Sequence, residues 1–220
     1  MKKHILFLTA MVLLFTLSVA AAPEGYVVDR MLWESDLEEE TLDAFPSKTW
    51  SMISGPSLFP ADIFFRVAKD PVGSGKTLLV PFYAPGEAGN AYICTPVMSA
   101  VDAEYLLYSF DFYMESAKID ARPNAGVYLF GVLDWPPHAE VYLQVPLNNV
   151  VLDEWAHYDW VVDVKANKNY LYRNGELVTE RNFRNVGLDT SNFRVAIYGT
   201  TNNLNVYFDN VKLSVIKKAE

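Results

Sequence analysis

Apolar and polar residues alternate with a period of two along much of this chain. In Trp155–Val164, Tyr158, Trp160, Val162 and Val164 fall on one side, while His157, Asp159, Asp163 and Lys165 interleave on the other. That period marks a β-strand with one face buried. Tyr105–Glu115 repeats it: Leu106, Tyr108, Phe110, Phe112 and Met114 share one face, and Tyr105, Ser109, Asp111, Tyr113 and Glu115 share the other. A run over Asn169–Arg173 ends at Asn174-Gly175 and another starts at Glu176. Asn-Gly between alternating runs predicts a tight hairpin, because both turn residues need positive φ. The register then sets Tyr172 against Leu177 and Leu171 against Val178. In the closing run, Tyr207, Asp209, Val211, Leu213 and Val215 alternate onto one face.

Further strands are expected at Tyr26–Glu34, Ile63–Lys69, Thr77–Tyr83, Tyr92–Met98, Val127–Leu133, Ala139–Val145, Phe193–Tyr198 and Leu204–Val215. Pro81 interrupts one of them and places it at an edge or bulge, since proline cannot donate to a ladder. The segment Ser51–Pro60 reads as turn-rich. No run of ten or more residues carries a helical period. Short strands separated by Gly, Pro and Asn turns predict an all-β fold, a two-sheet antiparallel jelly-roll sandwich. With no internal repeat or linker-like composition shift, residues 23–220 read as one domain.

Residues 1–22 are set apart from that domain. Lys2 and Lys3 precede the apolar run Ile5–Leu17, and small residues follow at Ser18–Ala22. This is the pattern of a cleaved secretory signal peptide, too short for a membrane anchor, and it implies a secreted, periplasmic or cell-surface destination. No second long apolar run follows. The net charge of -9 argues against nucleic acid and anionic membranes as partners, and leaves neutral or cationic ligands open. Cys94 is the single cysteine, so no internal disulfide forms, and it reads as a buried strand thiol.

Three segments resemble the concanavalin-A-like lectin/glucanase jelly rolls, and more narrowly the LamG-like and polysaccharide-associated domains of exported bacterial proteins. They are DLEEETLDAFPSKTW, an acidic segment closing on Pro and Trp; Trp155 followed by VVDVKANKNYLYRNGELV; and the closing strand VYFDNVKLSV. The likeness spans about Trp33 to Val215, and galactose-binding-like modules close on a similar FDNV strand. The resemblance implies a carbohydrate-related role on a scaffold that hosts lectins, hydrolases, lyases and structural domains. It also implies a structural calcium. A carboxylate in the apolar row of the last strand is costly unless paired or coordinated. Were the first and last strands neighbours, Asp209 would meet Glu34 or Asp36, and such oxygen donors suit Ca²⁺.

Other residues carry candidate chemistry. Asp134-Trp135-Pro136-Pro137-His138 joins two strands, and the prolines stiffen a Trp whose flat face can stack on a sugar ring. Tyr142 and Gln144 on the next strand, with Asp111 and Tyr113 on a neighbouring one, complete an expected ligand-binding face with Trp135 and His138; the alternative is Trp135 capping the core. Glu34-Ser35-Asp36-Leu37-Glu38 has the ExDxE spacing of laminarinase-like glycosidases, which on a strand would bring three carboxylates to one face. Its place in the first strand reads instead as a solvated acidic turn. Gly73-Ser74-Gly75-Lys76-Thr77 imitates a phosphate loop but precedes a strand, so it reads as a hairpin. A lyase would need a Tyr/His pair with a neutralising Arg, residue types that Tyr142, His138 and Arg122 supply. His157 reads as solvated beside Asp159, and Trp50, Trp155 and Trp160 as core. Catalytic residues stay unassigned. The leading expectation is an exported, non-catalytic carbohydrate-binding domain, with a glycoside hydrolase or lyase, or a structural interaction module, as alternatives.

Overall fold

The computed structural model describes residues 22–54, 65–82, 91–115, 121–132, 141–146, 149–183, 190–191, 194–200 and 204–220. Among them the regular elements are strands: β1 Tyr26–Ser35, β2 Ser51–Ser54, β3 Arg66–Lys69, β4 Lys76–Phe82, β5 Ala91–Cys94, β6 Met98–Ser99, β7 Tyr105–Met114, β8 Ala121–Val132, β9 Val141–Pro146, β10 Ala156–Asp163, β11 Lys168–Arg173, β12 Glu176–Asn182, β13 Thr190–Ser191, β14 Arg194–Thr200 and β15 Leu204–Lys218. The expected all-β class is correct. Residues 1–21 of the expected leader, and the Trp135–His138 loop, lie outside the described residues.

The larger sheet runs β12-β11-β10-β7-β15-β4-β3, and β1 also lies beside β15. β15 is the spine. One edge pairs with β7 along both halves, while the other pairs first with β4 through Leu204–Phe208 and then with β1 through Val211–Lys218. First and last strands are therefore neighbours, as expected. A smaller sheet runs β2-β5-β14-β8-β9, and β6 pairs with β13. Ser51–Ser54, read as turn from the sequence, is a strand of that smaller sheet. Pro81 pairs with Asn205 of β15 and lies past the described β3–β4 ladder, so among the described residues no second ladder asks it for an N–H.

The inward face of the larger sheet is the apolar row of each alternating run. Tyr108 stacks on Trp160 with ring centroids 4.6 Å apart, and Phe112 meets Phe208 edge-on at 5.0 Å. Leu106, Val162, Leu171 and Leu213 are fully buried in the same cluster, and Leu143 from β9 joins it, so the two sheets share one core. Each such side chain contributes about 1.5–3 kcal/mol on burial. Trp160 keeps its indole N–H satisfied by donating to Asn169 Oδ1 at 3.1 Å.

The β11–β12 hairpin turns at Asn174 (φ 49°) and Gly175 (φ 85°), as the primed turn demands. Tyr172 faces Leu177 as expected, but Leu171 faces Thr179, because a bulge absorbs Val178. The Asp70–Gly75 loop is the β3–β4 hairpin, with Asp70 N–H donating to the Gly75 carbonyl at 2.9 Å.

Candidate functional site

The outward face of the larger sheet takes the other half of every alternation. Cross-strand pairing of β7 with β10 sets Asp111 beside His157 and Ser109 beside Asp159, and pairing with β15 sets Asp111 beside Asp209. Polar residues from three adjacent strands thus meet in the middle of a sheet face. Apolar clusters flank them on both sides. One holds Tyr105, Leu107, Val161 and Ile216, with Tyr26, Tyr170 and Tyr172 packed against it. The other holds Leu79, Tyr113 and Tyr207, with Trp155 against it.

Asp209 reaches this face through a bulge. The β7–β15 register shifts between Asp209 and Lys212, and Asn210 adopts φ 49°. The shift reverses the alternation. Tyr207 and Asp209 point outward, while Val211, Leu213 and Val215 point into the core. The expectation that Asp209 shares the apolar row with those three residues is therefore wrong; it assumed an unbroken period across the bulge. Asn tolerates the left-handed region better than other side-chain-bearing residues, and bulges recur where a side chain must be re-aimed.

Asn210 then holds both carboxylates. Its backbone N–H donates to Asp209 Oδ1 at 2.7 Å and its side-chain amide to Asp111 Oδ2 at 2.8 Å. The other oxygen of Asp111, Oδ1, lies 2.6 Å from His157 Nδ1. On the far side of the ring, Nε2 lies 3.2 Å from Ser109 Oγ and 3.3 Å from Asp159 Oδ1. The Asp159 approach is an ion-pair contact off the line of a hydrogen bond, since that oxygen is buried with no aligned donor. His157 N–H donates to Asn174 Oδ1 at 2.9 Å, so the hairpin turn anchors the same residue.

The electrostatics follow from this packing. The hydrogen bond with Asp111 and the contact with Asp159 raise the His157 pKa to about 10, so the ring is an imidazolium at neutral pH. Burial, opposed by the Asn210 N–H and reinforced by the charges of Asp111, Glu38 and Asp36, pushes the Asp209 carboxyl up to about 7. Asp209 can therefore donate or accept a proton near neutrality. Asp159 is buried, whereas the His157 and Asp111 side chains remain 31% and 29% exposed. The accessible part of the site is a carboxylate, an imidazolium and a titrating carboxyl, able to bond vicinal hydroxyls or serve general acid–base chemistry.

The rim is aromatic. Trp155 is half-buried against Tyr113, centroids 5.6 Å apart, and its indole N–H donates to Asp70 Oδ1 at 3.1 Å. The expectation that Trp155 belongs to the core is thus corrected, whereas Trp50 and Trp160 are core residues. Tyr113 meets Tyr207 edge-on at 5.7 Å, and the Tyr207 hydroxyl donates to Glu115 Oε1 at 3.0 Å.

Of the residues expected at a ligand site, Asp111 and Tyr113 stand here on β7. Tyr142 and Gln144 lie on β9, at the edge of the other sheet, paired with Phe130 and Tyr128. The two pairs are not on neighbouring strands, because the chain order of β7, β8 and β9 does not carry over into one sheet. Trp135 and His138 lie outside the described residues, and Arg122 is on β8. The expected calcium ligands are only partly assembled. Asp36 acts electrostatically on Asp209, but its Oδ1 accepts the Glu38 N–H at 3.2 Å, and Glu34 stands opposite Lys212. Glu34, Asp36 and Glu38 do not share a strand face either. β1 ends at Ser35, and Leu37 turns the chain with φ 62°. Among the described residues, no three His, Cys, Asp or Glu side chains converge as a metal-binding group.

No protein-family model and no curated protein matches the chain. Solved structures share its fold. A sialidase superposes with a TM-score of 0.54 at 13% identity, over 84% of this chain and 18% of its own. A carbohydrate esterase from Shiga toxin-encoding bacteriophage phi24B gives 0.53 at 13% identity, over 84% of this chain and 98% of its own. The GH131 β-glucanase catalytic domain of Podospora anserina gives 0.50 at 12% identity, covering 86% and 96%. The chain therefore spans less than a fifth of the sialidase and nearly the whole of the other two. At such identities the likeness is one of fold, and the fold is the all-β sandwich that the alternating runs predict.

Proposed function

We propose that this is an exported, lectin-like carbohydrate-binding domain whose ligand lies on the outward face of the larger sheet, over Asp111, His157 and Asp209. The observation that carries the reading is the half-exposed polar cluster, clamped by Asn210 and Asn174, between two aromatic clusters. Sugars need this mixture: carboxylates and a cationic donor for hydroxyls, and flat apolar surface for ring C–H faces. The fold neighbours support it, since they include a sialidase, a carbohydrate esterase and a glucanase. The leader-like sequence of Met1–Ala22 supports export.

The test is retention on an array of neutral and amino oligosaccharides by the folded protein and its His157→Gln variant. Retention lost in the variant, with its circular dichroism unchanged, is the expected result. Equal retention by both proteins removes the site. A second reading, hydrolysis, is favoured by one feature: a carboxyl near pKa 7 beside a carboxylate is how a proton donor and a base are set apart. Release of reducing ends by the wild-type chain, abolished by Asp209→Asn, would establish it.

A further inference from the structure

Beside the polar cluster a groove opens where β1 leaves the sheet. The turn Glu34–Glu40, with Lys48, Thr49 and Lys212, encloses about 510 Å³, and Asn210 lines it. Asn210 therefore belongs to both places, since the same side chain donates to Asp111 Oδ2. Lys212 pairs across β15 with Ser109 on one side and with Glu34 on the other, so these two lining residues, like Asn210, stand on the outward side, where the groove meets the sheet face. The Asp36 charge acts on Asp209 from the groove side.

The groove is built rather than loosely draped. Thr49 Oγ1 donates to Glu40 Oε1 at 2.8 Å, and Lys48 Nζ donates to the Glu39 carbonyl at 2.8 Å. Lys76 Nζ donates to the carbonyls of Glu38 and Glu40, and Lys76 N–H donates to Glu38 Oε1 at 3.0 Å. Glu40 is buried under these contacts. A cavity already shaped this way costs a ligand little in ordering. Its volume falls within the usual range for small-molecule sites and accommodates roughly two sugar rings. Its lining offers hydroxyls from Ser35 and Thr49 beside apolar surface, and its carboxylates outnumber its two ammonium groups. Juxtaposed like charges disfavour an anionic ligand.

We propose that this groove is a second subsite continuous with the sheet-face site. The ligand is then an oligosaccharide of uncharged or amine-bearing units that crosses Asn210, and uronate or sialate chains are rejected. The inference rests on the sheet-face reading and adds chain length and charge class to it. For each neutral or amino disaccharide retained on the array, affinity is measured calorimetrically for the disaccharide and its tetrasaccharide, with tetragalacturonate as the anionic probe. Two exposed positions allow the groove to be blocked independently, by Glu34→Trp on β1 and Glu39→Trp in the turn.

Tetrasaccharide binding at least about tenfold tighter than disaccharide binding is expected, with that gain lost in both variants, disaccharide affinity unchanged, and tetragalacturonate at least about tenfold weaker. Equal affinity for the two chain lengths, or a gain that survives in a variant of unchanged Tm, overturns the groove while leaving the sheet-face site intact. Tight tetragalacturonate binding overturns the charge class. Failure of every disaccharide removes the sheet-face reading first, and the groove with it.

Discussion

Asn210 decides which side of β15 carries Asp209. Its left-handed φ of 49° makes the bulge, and its two donors fix Asp209 and Asp111. Asn210→Gly keeps the backbone and loses the amide, whereas Asn210→Val strains the backbone too. The valine variant should unfold about 1–3 kcal/mol more easily than wild type and the glycine variant should fall between them, as chemical denaturation will measure. His157 adds a pH signature. Its native pKa of about 10 exceeds the ordinary 6.5, so the native state binds more protons across that interval. This contribution to stability is full below about pH 6.5 and is lost as pH rises toward 10. The carboxyl of Asp209, raised to about 7, acts in the same direction between about pH 4 and 7. Tm should fall from pH 6 to pH 10, and His157→Gln should flatten that decline while costing about 1–3 kcal/mol at pH 6.

The elements that local pattern specifies were legible in the sequence: the two long alternating strands and the Asn174-Gly175 hairpin; that the first and last strands are neighbours followed from the jelly-roll expectation alone. The Cβ of any residue placed at Gly175 would meet nothing within 4 Å, so the need for glycine there is purely conformational. Gly175→Val should therefore lower stability by about 1–2 kcal/mol through φ strain, with the core unchanged by near-ultraviolet circular dichroism. What stayed hidden was non-local. Asp111 and His157 are 46 residues apart, and nothing near either residue says that β7 and β10 are neighbours. Alternation put His157 on the polar face, where it stands, but did not show its partner Asp111; Trp155 was read as core from its residue type, and cross-strand packing leaves it half-buried on the outward face. The bulges at Val178 and Asn210 defeated simple counting, because one extra residue moves every later side chain to the other face. Asn210 directly after Asp209, in the middle of a long strand, was a local hint of the second bulge.

At the scale of the whole molecule, two sheets share one aromatic core and leave the outward face of the larger sheet to carry the polar cluster. Placing Tyr142 and Gln144 in the other sheet separates two surfaces that the sequence had merged into one. The net charge of -9 and the acidic groove bias the whole surface away from polyanions. The most direct measurement is amide chemical-shift mapping by NMR, titrating in an oligosaccharide retained on the array. Binding on the outward face should perturb the amides of Asp111, His157, Asp209 and Asn210 together, and leave β9 undisturbed. Shifts confined to β9 around Tyr142 and Gln144, or none at saturating oligosaccharide, would contradict the account.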